Sequence, residues 1–337
     1  MLNNRWIYTS IQEKKQFSFT VFIISSVVLL EFILLDIIGE IVRHVIGLYF
    51  SPRLNDEMIN NEEFNMFLNN AASIMVLWIS FSIASAILIL FLRRFKSKAD
   101  YNINNRVSFR FRMPENSLML LFLGLAVMYL SGSVSMLFDF LLDSFGIEKF
   151  IVESSPFPKT DTGIILYFVA LVVSPAILEE IFCRYLILNA LRKYGDGFAI
   201  TVSAVFFGLL HGRTTAFFYA TAIGFFLGYF AVKTKSIWFP VILHAFVNFM
   251  AFFWHFISDL VSAEQLFNLV SFSFWTVLFA VSVIYIIIII RKKKDLSLTR
   301  RRDYIHINRG RKTFVFFNAA TIIFIILAFM QSALEYR

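Results

Sequence analysis

Long apolar segments recur along the chain and are separated by short polar stretches. We distinguish nine segments, most of them close to the roughly 20 residues that a helix needs to cross about 30 Å of hydrocarbon. They lie near residues 17–39, 71–92, 117–142, 163–191, 197–212, 216–232, 237–258, 267–290 and 314–334. Together with a content of 58% hydrophobic and 16% charged residues, the pattern predicts an all-α, polytopic membrane helical bundle. About nine transmembrane helices are expected, or eight, because the fifth and sixth segments are short.

The positive charges predict how the segments are oriented. The net charge is +8, but the basic residues form short clusters between apolar segments, which argues against a nucleic-acid-binding face. Cytoplasmic loops of membrane proteins are enriched in Lys and Arg. If the nine segments alternate in direction, 25 of the 31 Lys and Arg residues fall on one side. We therefore predict a cytoplasmic N-terminus and an extracytoplasmic C-terminus.

The chain shows no sign of a division into separate domains. No linker rich in Gly, Pro or Ser interrupts it, so residues 1–337 are predicted to form a single integral membrane domain. Its one cysteine, Cys183, lies in the fourth apolar segment, which excludes an intrachain disulfide. No sequence pattern indicates an oligomeric state.

The fourth segment contains the stretch SPAILEEIFCRYLILNAL, in which Glu179, Glu180 and Arg184 interrupt an apolar helix. A Glu or Arg at the centre of a membrane helix costs about 2.5 to 3.5 kcal/mol on insertion scales. Glu180 and Arg184 are four residues apart and share a helix face, where the guanidinium can neutralise the carboxylate. Glu179 is rotated about 100° from Glu180 and is left to point elsewhere. Two interpretations are open at this point, a structural salt bridge and an active site.

Two later segments carry further polar side chains at a similar depth. After a turn at Gly195 the chain runs back to His211, 16 residues beyond that glycine, while Glu180 lies 15 residues before it. Equal counts in an antiparallel helical hairpin indicate equal depth, so His211 is predicted to lie level with the glutamates. His244 and Asn248 share a face of the seventh segment. Such groups can activate water and stabilise an oxyanion, which is the chemistry of peptide hydrolysis.

Three short motifs carry a family resemblance. EEIFCR at 179–184, FGLLH at 207–211 and HAFVN at 244–248 fit the patterns EExxxR, FxxxH and HxxxN in that order. In their order and their placement on apolar segments they resemble the CPBP family of intramembrane proteases, also called CAAX protease or Abi proteins. The resemblance covers about residues 165–250 and leaves both flanks unmatched.

The resemblance implies a role for each polar residue. Glu179 and His211 would activate the attacking water. Glu180 and Arg184 would support the first glutamate, while the His and Asn of the HAFVN motif would stabilise the oxyanion. Phe207 would serve as a packing residue one turn before the histidine.

The family leaves the question of a metal open. Its members have been described both as metalloproteases and as glutamate-dependent proteases that require no metal. In this chain Glu179, His211 and His244 are the candidates for an open, three-ligand zinc site. An HExxH motif is absent from the sequence, and Asn is an unusual zinc ligand. We therefore expect that no metal is required, with zinc as the alternative.

The resemblance also implies an arrangement of the chain and a setting. A catalytic helix core would occupy 163–258, with flanking transmembrane helices in 1–145 and 267–337. The expected partners are the lipid bilayer and a peptide or membrane-anchored protein substrate, with no role for nucleic acid. A bacterial cell membrane is the expected location, since many family members are bacterial.

Two other functions are consistent with the residues. The chain could be a non-catalytic bacteriocin immunity or peptide-binding protein, in which the polar cluster only holds helices together. A proton-coupled transporter would instead use intramembrane acids. The candidates are Glu31, Asp36, Glu40, Asp139 and Asp143. Most of these acids lie toward the ends of their segments, where water solvates them, and Glu31 lies deeper.

Overall fold

The structure is a computed structural model of the 337-residue chain. The residues that it describes are 11–50, 61–94, 106–147, 156–261, 263–292, 298, 305 and 307–334. These residues form ten helices, which we number in chain order. They are α1 (Ile11–Phe50), α2 (Glu62–Arg94), α3 (Ser117–Ser144), α4 (Asp161–Tyr194), α5 (Asp196–Leu209), α6 (Thr214–Thr234), α7 (Trp238–Leu260), α8 (Glu264–Arg291), α9 (Arg309–Phe317) and α10 (Ala319–Ala333).

The lengths of the helices decide which of them can cross a membrane. Seven are long and apolar enough within the described ranges, namely α1 to α4 and α6 to α8. The pair α9 and α10, bent by 49°, provides an eighth span if the two are taken together. Helix α5 has 14 residues, or about 21 Å at 1.5 Å per residue, which is less than the roughly 30 Å of hydrocarbon. The predicted polytopic helical bundle is confirmed, and the predicted count of about nine is approximate.

Helix α4 is irregular along its length. Val169–Val173 and Ile181–Leu188 are wound as π-helix, in which an N–H bonds to the carbonyl five residues earlier. Between them stands Pro175, which has no N–H to offer to the carbonyl four residues before it. The chain turns into α5 at Gly195, whose φ of 128° is a conformation that favours glycine. The predicted turn at Gly195 is therefore present.

Helices α5 and α6 pack closely because glycines stand at their contact. A Cβ atom on Gly208 would lie 3.0 Å from the carbonyl oxygen of Phe217. A Cβ atom on Gly224 would lie 3.1 Å from the Cα atom of Ala204. Both distances are shorter than ordinary van der Waals contact, so the two backbones approach as far as the missing side chains allow. This close approach places the backbone of α6 beside the polar residues of α4.

The C-terminal helices return to the same region. Asn318 accepts a hydrogen bond from the N–H of Thr321 and so caps α10. The amide nitrogen of Asn318 donates to Ser25 Oγ of α1 at 3.1 Å. At the other end of α10, Ser332 Oγ accepts a hydrogen bond from the N–H of Thr214 at 2.8 Å. Helix α10 is thereby fixed to α1 and to the start of α6.

The contact between α5 and α6 generates the first prediction. Replacing Gly208 with Ala places a methyl group against the Phe217 carbonyl, a backbone atom that cannot move away without shifting α6. Overpacking of this kind costs about 1 to 3 kcal/mol. We expect a lower unfolding temperature for Gly208→Ala in detergent. Gly197→Ala is the matched control, because nothing lies within 4 Å of a Cβ atom at that position of α5. Equal unfolding temperatures for the two variants would show that the backbones of α5 and α6 do not approach as closely as the structure indicates.

Candidate active site

A buried ion pair lies at the centre of the candidate site. The carboxylate oxygen Oε1 of Glu180 is 3.0 Å from Nη1 of Arg184, one helical turn further along α4, and neither side chain is exposed. The same Oε1 atom is 3.1 Å from Nδ1 of His244, on α7. His244 is also buried. One carboxylate therefore meets a guanidinium and an imidazole from two different helices.

Arg184 makes further contacts that hold its guanidinium in place. Its Nη2 atom donates to the carbonyl oxygen of Gly224 on α6 at 3.3 Å. Its Cζ atom lies 4.3 Å from the ring centroid of Phe207 on α5, a cation–π contact that gains strength where water is excluded. The close packing of α6 on α5 brings the Gly224 carbonyl within reach of the arginine. Four helices thus meet around one ion pair.

Phe207 links this ion pair to both histidines. Its ring lies edge-on to the ring of His211, with centroids 5.0 Å apart, and edge-on to the ring of His244 at 5.5 Å. The aromatic position before the histidine in the FGLLH motif therefore contacts the cation on one side and the imidazoles on another. The resemblance implied only a packing role for Phe207, and the structure adds these contacts to it.

His211 lies in a turn just beyond the end of α5, and this corrects the prediction of a continuous helix over 197–212. Its Nδ1 atom is 2.8 Å from the carbonyl oxygen of Phe207. A carbonyl oxygen can only accept, so Nδ1 carries the hydrogen and Nε2 of the neutral ring keeps its lone pair. The turn is completed by Gly212 at φ 63°. A Cβ atom there would clash with Gln331 of α10 and lie 3.3 Å from Phe32 of α1.

Glu179 behaves differently from its neighbour Glu180. It is half-buried, and its carboxylate makes no hydrogen bond or ion pair with the described residues. The Tyr219 ring of α6 lies 6.3 Å from the ring of His211. No hydrogen bond joins Glu179 to His211.

Asn248 has a different partner from His244, although the two share a helix. Its Nδ2 atom donates to the carbonyl oxygen of Leu171 on α4 at 3.0 Å. This is the carbonyl that Pro175, four residues later, cannot bond. The carboxamide has a second N–H and an oxygen, so one donor is available for another group. In the structure Asn248 thus joins α7 to the π-helical part of α4.

The three candidate zinc ligands do not form a ligand group. Among the described residues no set of three or more His, Cys, Asp or Glu side chains is arranged to hold a metal ion. Glu179, His211 and His244 therefore do not fit a three-ligand zinc site, and we derive no step through a metal.

Two features of this region extend what the sequence predicted, which noted the depth of Glu31 but named no partner for it. Glu31 is fully buried, and its Oε1 atom accepts a hydrogen bond from Ser80 of α2 at 2.8 Å. Its position deep in the first apolar segment was the available signal. The contact of Gln331 and Phe32 with the His211 turn gave no signal, because both residues lie far from the motifs in sequence.

The comparisons with known proteins agree with the three motifs. Residues 161–250 match the model of a family described as Rce1-like, type II CAAX prenyl endopeptidase. Over 85 residues the chain is 36% identical to YdiL of Bacillus subtilis (strain 168), whose name describes it as a candidate membrane peptidase. The matched stretch is 25% of this chain and about a third, 34%, of that relative. No solved structure matches the chain. The predicted resemblance to the CPBP proteases is confirmed over this segment.

The buried ion pair generates the second prediction. Glu180→Leu leaves the Arg184 guanidinium buried with no carboxylate, and an arginine stays protonated in proteins. Breaking one partner of a buried pair costs about 3 to 5 kcal/mol. We expect a large fall in the unfolding temperature in detergent. The double variant Glu180→Leu/Arg184→Met removes both charges and should recover most of the loss.

An exposed pair on α1 offers the matched control for this experiment. Glu40 and Arg43 form a salt bridge whose side chains are 77% and 60% exposed. Exposed pairs contribute about 0 to 1 kcal/mol, so Glu40→Leu should change the unfolding temperature little. If Glu180→Leu unfolds at the same temperature as Glu40→Leu, the ion pair at Glu180 does not stabilise the fold.

Proposed function

We propose, from the premise that residues 161–250 carry the core of a CPBP-family protease, that the chain is an intramembrane endopeptidase. It would hydrolyse a peptide bond of a peptide or a membrane-anchored protein, and 163–258 would be its catalytic core. One observation carries the proposal. Two imidazoles, His211 and His244, both use Nδ1 for a fixed partner and so leave Nε2 to act on a substrate.

His211 and Glu179 are the groups that would activate water. The Phe207 carbonyl fixes the tautomer of His211, and the lone pair on Nε2 can accept a proton. The carboxylate of Glu179 is half-buried and makes no hydrogen bond or ion pair with the described residues. Either base takes one proton from the water, and the oxygen of that water attacks the carbonyl carbon of the peptide bond. The C–N bond then breaks, and the leaving nitrogen receives that proton.

His244 and Asn248 are the groups that would face the oxyanion. Glu180 accepts from His244 Nδ1 and orients the ring, as a triad carboxylate does. Nε2, when it carries a hydrogen, would then donate to the developing oxyanion. The second N–H of Asn248 is a further donor, since the first is held by Leu171. Each such donor typically contributes about 2.7 to 4 kcal/mol to transition-state stabilisation.

The third prediction concerns the two proposed bases. Glu179→Gln and His211→Ala should each lower the cleavage rate of the purified protein by about 10² to 10⁴, the usual contribution of general base catalysis. The substrate is found by mass spectrometry of peptides from membranes that contain the wild-type protein or Glu179→Gln. Products that are present only with the wild type supply the assay.

Exposed residues of α1 provide controls of the same chemical type. Glu40→Gln and His44→Ala replace an exposed acid and an exposed histidine far along the helix from the site, and cleavage should be unchanged. Undiminished cleavage by Glu179→Gln or by His211→Ala contradicts the proposed catalysis. A different result would favour peptide binding without hydrolysis: Glu179→Gln and His211→Ala would keep an immunity phenotype, and only variants that fail to fold would lose it.

We also propose the orientation that the distribution of Lys and Arg predicts, with the N-terminus in the cytoplasm of a bacterial cell. Cys183 is buried, so Cys183→Ser gives a background without cysteine. Lys15 and Glu40 are exposed near opposite ends of α1.

The fourth prediction tests this orientation. In that background, Glu40→Cys should react with a membrane-impermeant maleimide on intact spheroplasts. Lys15→Cys should react only after permeabilisation, because its end of α1 faces the cytoplasm. The reverse pattern of labelling would show that the proposed orientation is inverted.

A further inference from the structure

We propose that the segment 106–112 binds the headgroups of anionic phospholipids, with Arg110 and Arg112 as its cationic groups and Phe109 and Phe111 as its apolar anchors. The segment precedes α3 and lies at the end of the bundle where α4 ends and α7 begins. It is outside the stretch that matches a known family. The inference does not depend on the proposed hydrolysis.

The backbone of this segment is fixed to the bundle by paired hydrogen bonds. The side chain of Asn189 on α4 accepts from the N–H of Val107 at 2.9 Å and donates to the carbonyl oxygen of Val107 at 2.9 Å. The N–H of Ser108 donates to the carbonyl oxygen of Lys235 at 3.2 Å, and the carbonyl oxygen of Ser108 accepts from the N–H of Ile237 at 3.1 Å. Both backbone groups of two successive residues are therefore paired, which determines the path of the segment.

Two aromatic contacts set the level of the segment along the bundle. The Phe109 ring lies 4.7 Å from the ring of Tyr185 on α4, and the Phe109 carbonyl oxygen accepts a hydrogen bond from Nε1 of Trp238 at 2.7 Å. The Phe111 ring lies 6.2 Å from the ring of Trp238, the first residue of α7. Tryptophans at the ends of membrane helices lie at the boundary between lipid and water. The segment is therefore at this boundary.

The exposed side chains of the segment are of two kinds. Phe109 is 49% exposed and Phe111 is 65% exposed. Arg110 and Arg112 are also exposed, and neither side chain makes a hydrogen bond or an ion pair with the described residues. Exposed aromatic rings between exposed cations fit the boundary between acyl chains and headgroups. There the rings enter the apolar layer while the guanidinium groups reach the phosphates.

The charge of this region is complementary to an anionic headgroup. Between residues 106 and 117 the chain has three arginines and a single acid, Glu115. Lys235 adds a further positive charge at the turn that pairs with Ser108. A guanidinium can bind a phosphate through two parallel N–H···O bonds. The fixed backbone lowers the cost of ordering these groups when a headgroup binds.

These features select a net negative lipid over a zwitterionic one. Both kinds of lipid carry a phosphate, but the cation of a zwitterionic headgroup offsets the attraction to Arg110 and Arg112. Phosphatidylglycerol has no such cation and is therefore the probe for the site. Phosphatidylcholine has the same phosphate with no net charge and is the matched comparison.

The fifth prediction tests the two arginines. One basic residue near an anionic surface strengthens binding about fivefold, so Arg110→Gln/Arg112→Gln should weaken the binding of phosphatidylglycerol about 25-fold. Native mass spectrometry of the purified full chain in detergent measures the dissociation constant of the tightest-bound lipid. Arg110→Lys/Arg112→Lys keeps both charges and should retain most of the affinity. Phosphatidylcholine should bind weakly to the wild type and to both variants.

Two exposed arginines of α9 provide the matched control. Arg309 and Arg311 make no ion pair with the described residues, and Gly310 stands between them in place of an aromatic residue. They lie at the same end of the bundle, because the neighbouring Lys312 donates to the carbonyl oxygen of Tyr194 at the end of α4. Arg309→Gln/Arg311→Gln removes the same charge and should leave the dissociation constant within about twofold of the wild type.

Three results would overturn the inference. The first is equal weakening by the two Gln double variants, which would mean that any basic pair at this end attracts the lipid. The second is equal affinity of the wild type for phosphatidylglycerol and phosphatidylcholine. The third is displacement of phosphatidylglycerol by inorganic phosphate but not by chloride at the same ionic strength, which would assign the arginines to a free anion.

The variants also separate lipid binding from folding. Because Arg110 and Arg112 are exposed and unpaired among the described residues, Arg110→Gln/Arg112→Gln should unfold at the same temperature as the wild type in detergent without added lipid. Phe111→Ser keeps both arginines and removes one apolar anchor, so it should also weaken the binding of phosphatidylglycerol. Full affinity in Phe111→Ser would contradict the role of the aromatic rings.

Discussion

The neutralisation of one buried carboxylate organises the centre of this bundle. Glu180 is fully buried, and its Oε1 atom is shared by Arg184 and His244. An unpaired charge in this environment would destabilise the bundle, so each helix that contacts the ion pair is held in place by it. Arg184 reaches the Gly224 carbonyl and the Phe207 ring. The ion pair therefore fixes α4, α5, α6 and α7 relative to one another, and the His244 imidazole is bound directly to it.

The sequence predicted this pair from spacing alone, because four residues along a helix always share a face. It also predicted the turn at Gly195 and the return of the chain to His211. The assumption of equal depth per residue was less accurate. Ser203 bonds to the carbonyl of Cys183, eight residues after and twelve residues before the turn, so the two arms are not matched in count. Cys183 lies in the π-helical part of α4, where the hydrogen bonds span five residues instead of four.

Local spacing could not predict the partners of His244 and Asn248. Both residues occupy one face of α7, which suggested one shared task at an oxyanion. The structure gives one of them to Glu180 and the other to the Leu171 carbonyl. That carbonyl is available because Pro175 interrupts the hydrogen-bonding pattern of α4. A proline in the sequence is easily noted, but the donor that takes its place depends on how α7 packs, which only the folded chain reveals.

The boundaries of the motif-bearing segment are narrower than the boundaries of the site. The turn that holds His211 packs against Phe32 of α1 and Gln331 of α10. Ser332 accepts a hydrogen bond from Thr214 at the start of α6, and Ser80 of α2 donates a hydrogen bond to Glu31 of α1. Helix α5 is too short to cross the membrane by itself, so its end and the following turn lie inside the bundle and must be covered by other helices. Helices α1 and α10 cover this turn. The candidate site therefore extends beyond the segment that carries the motifs.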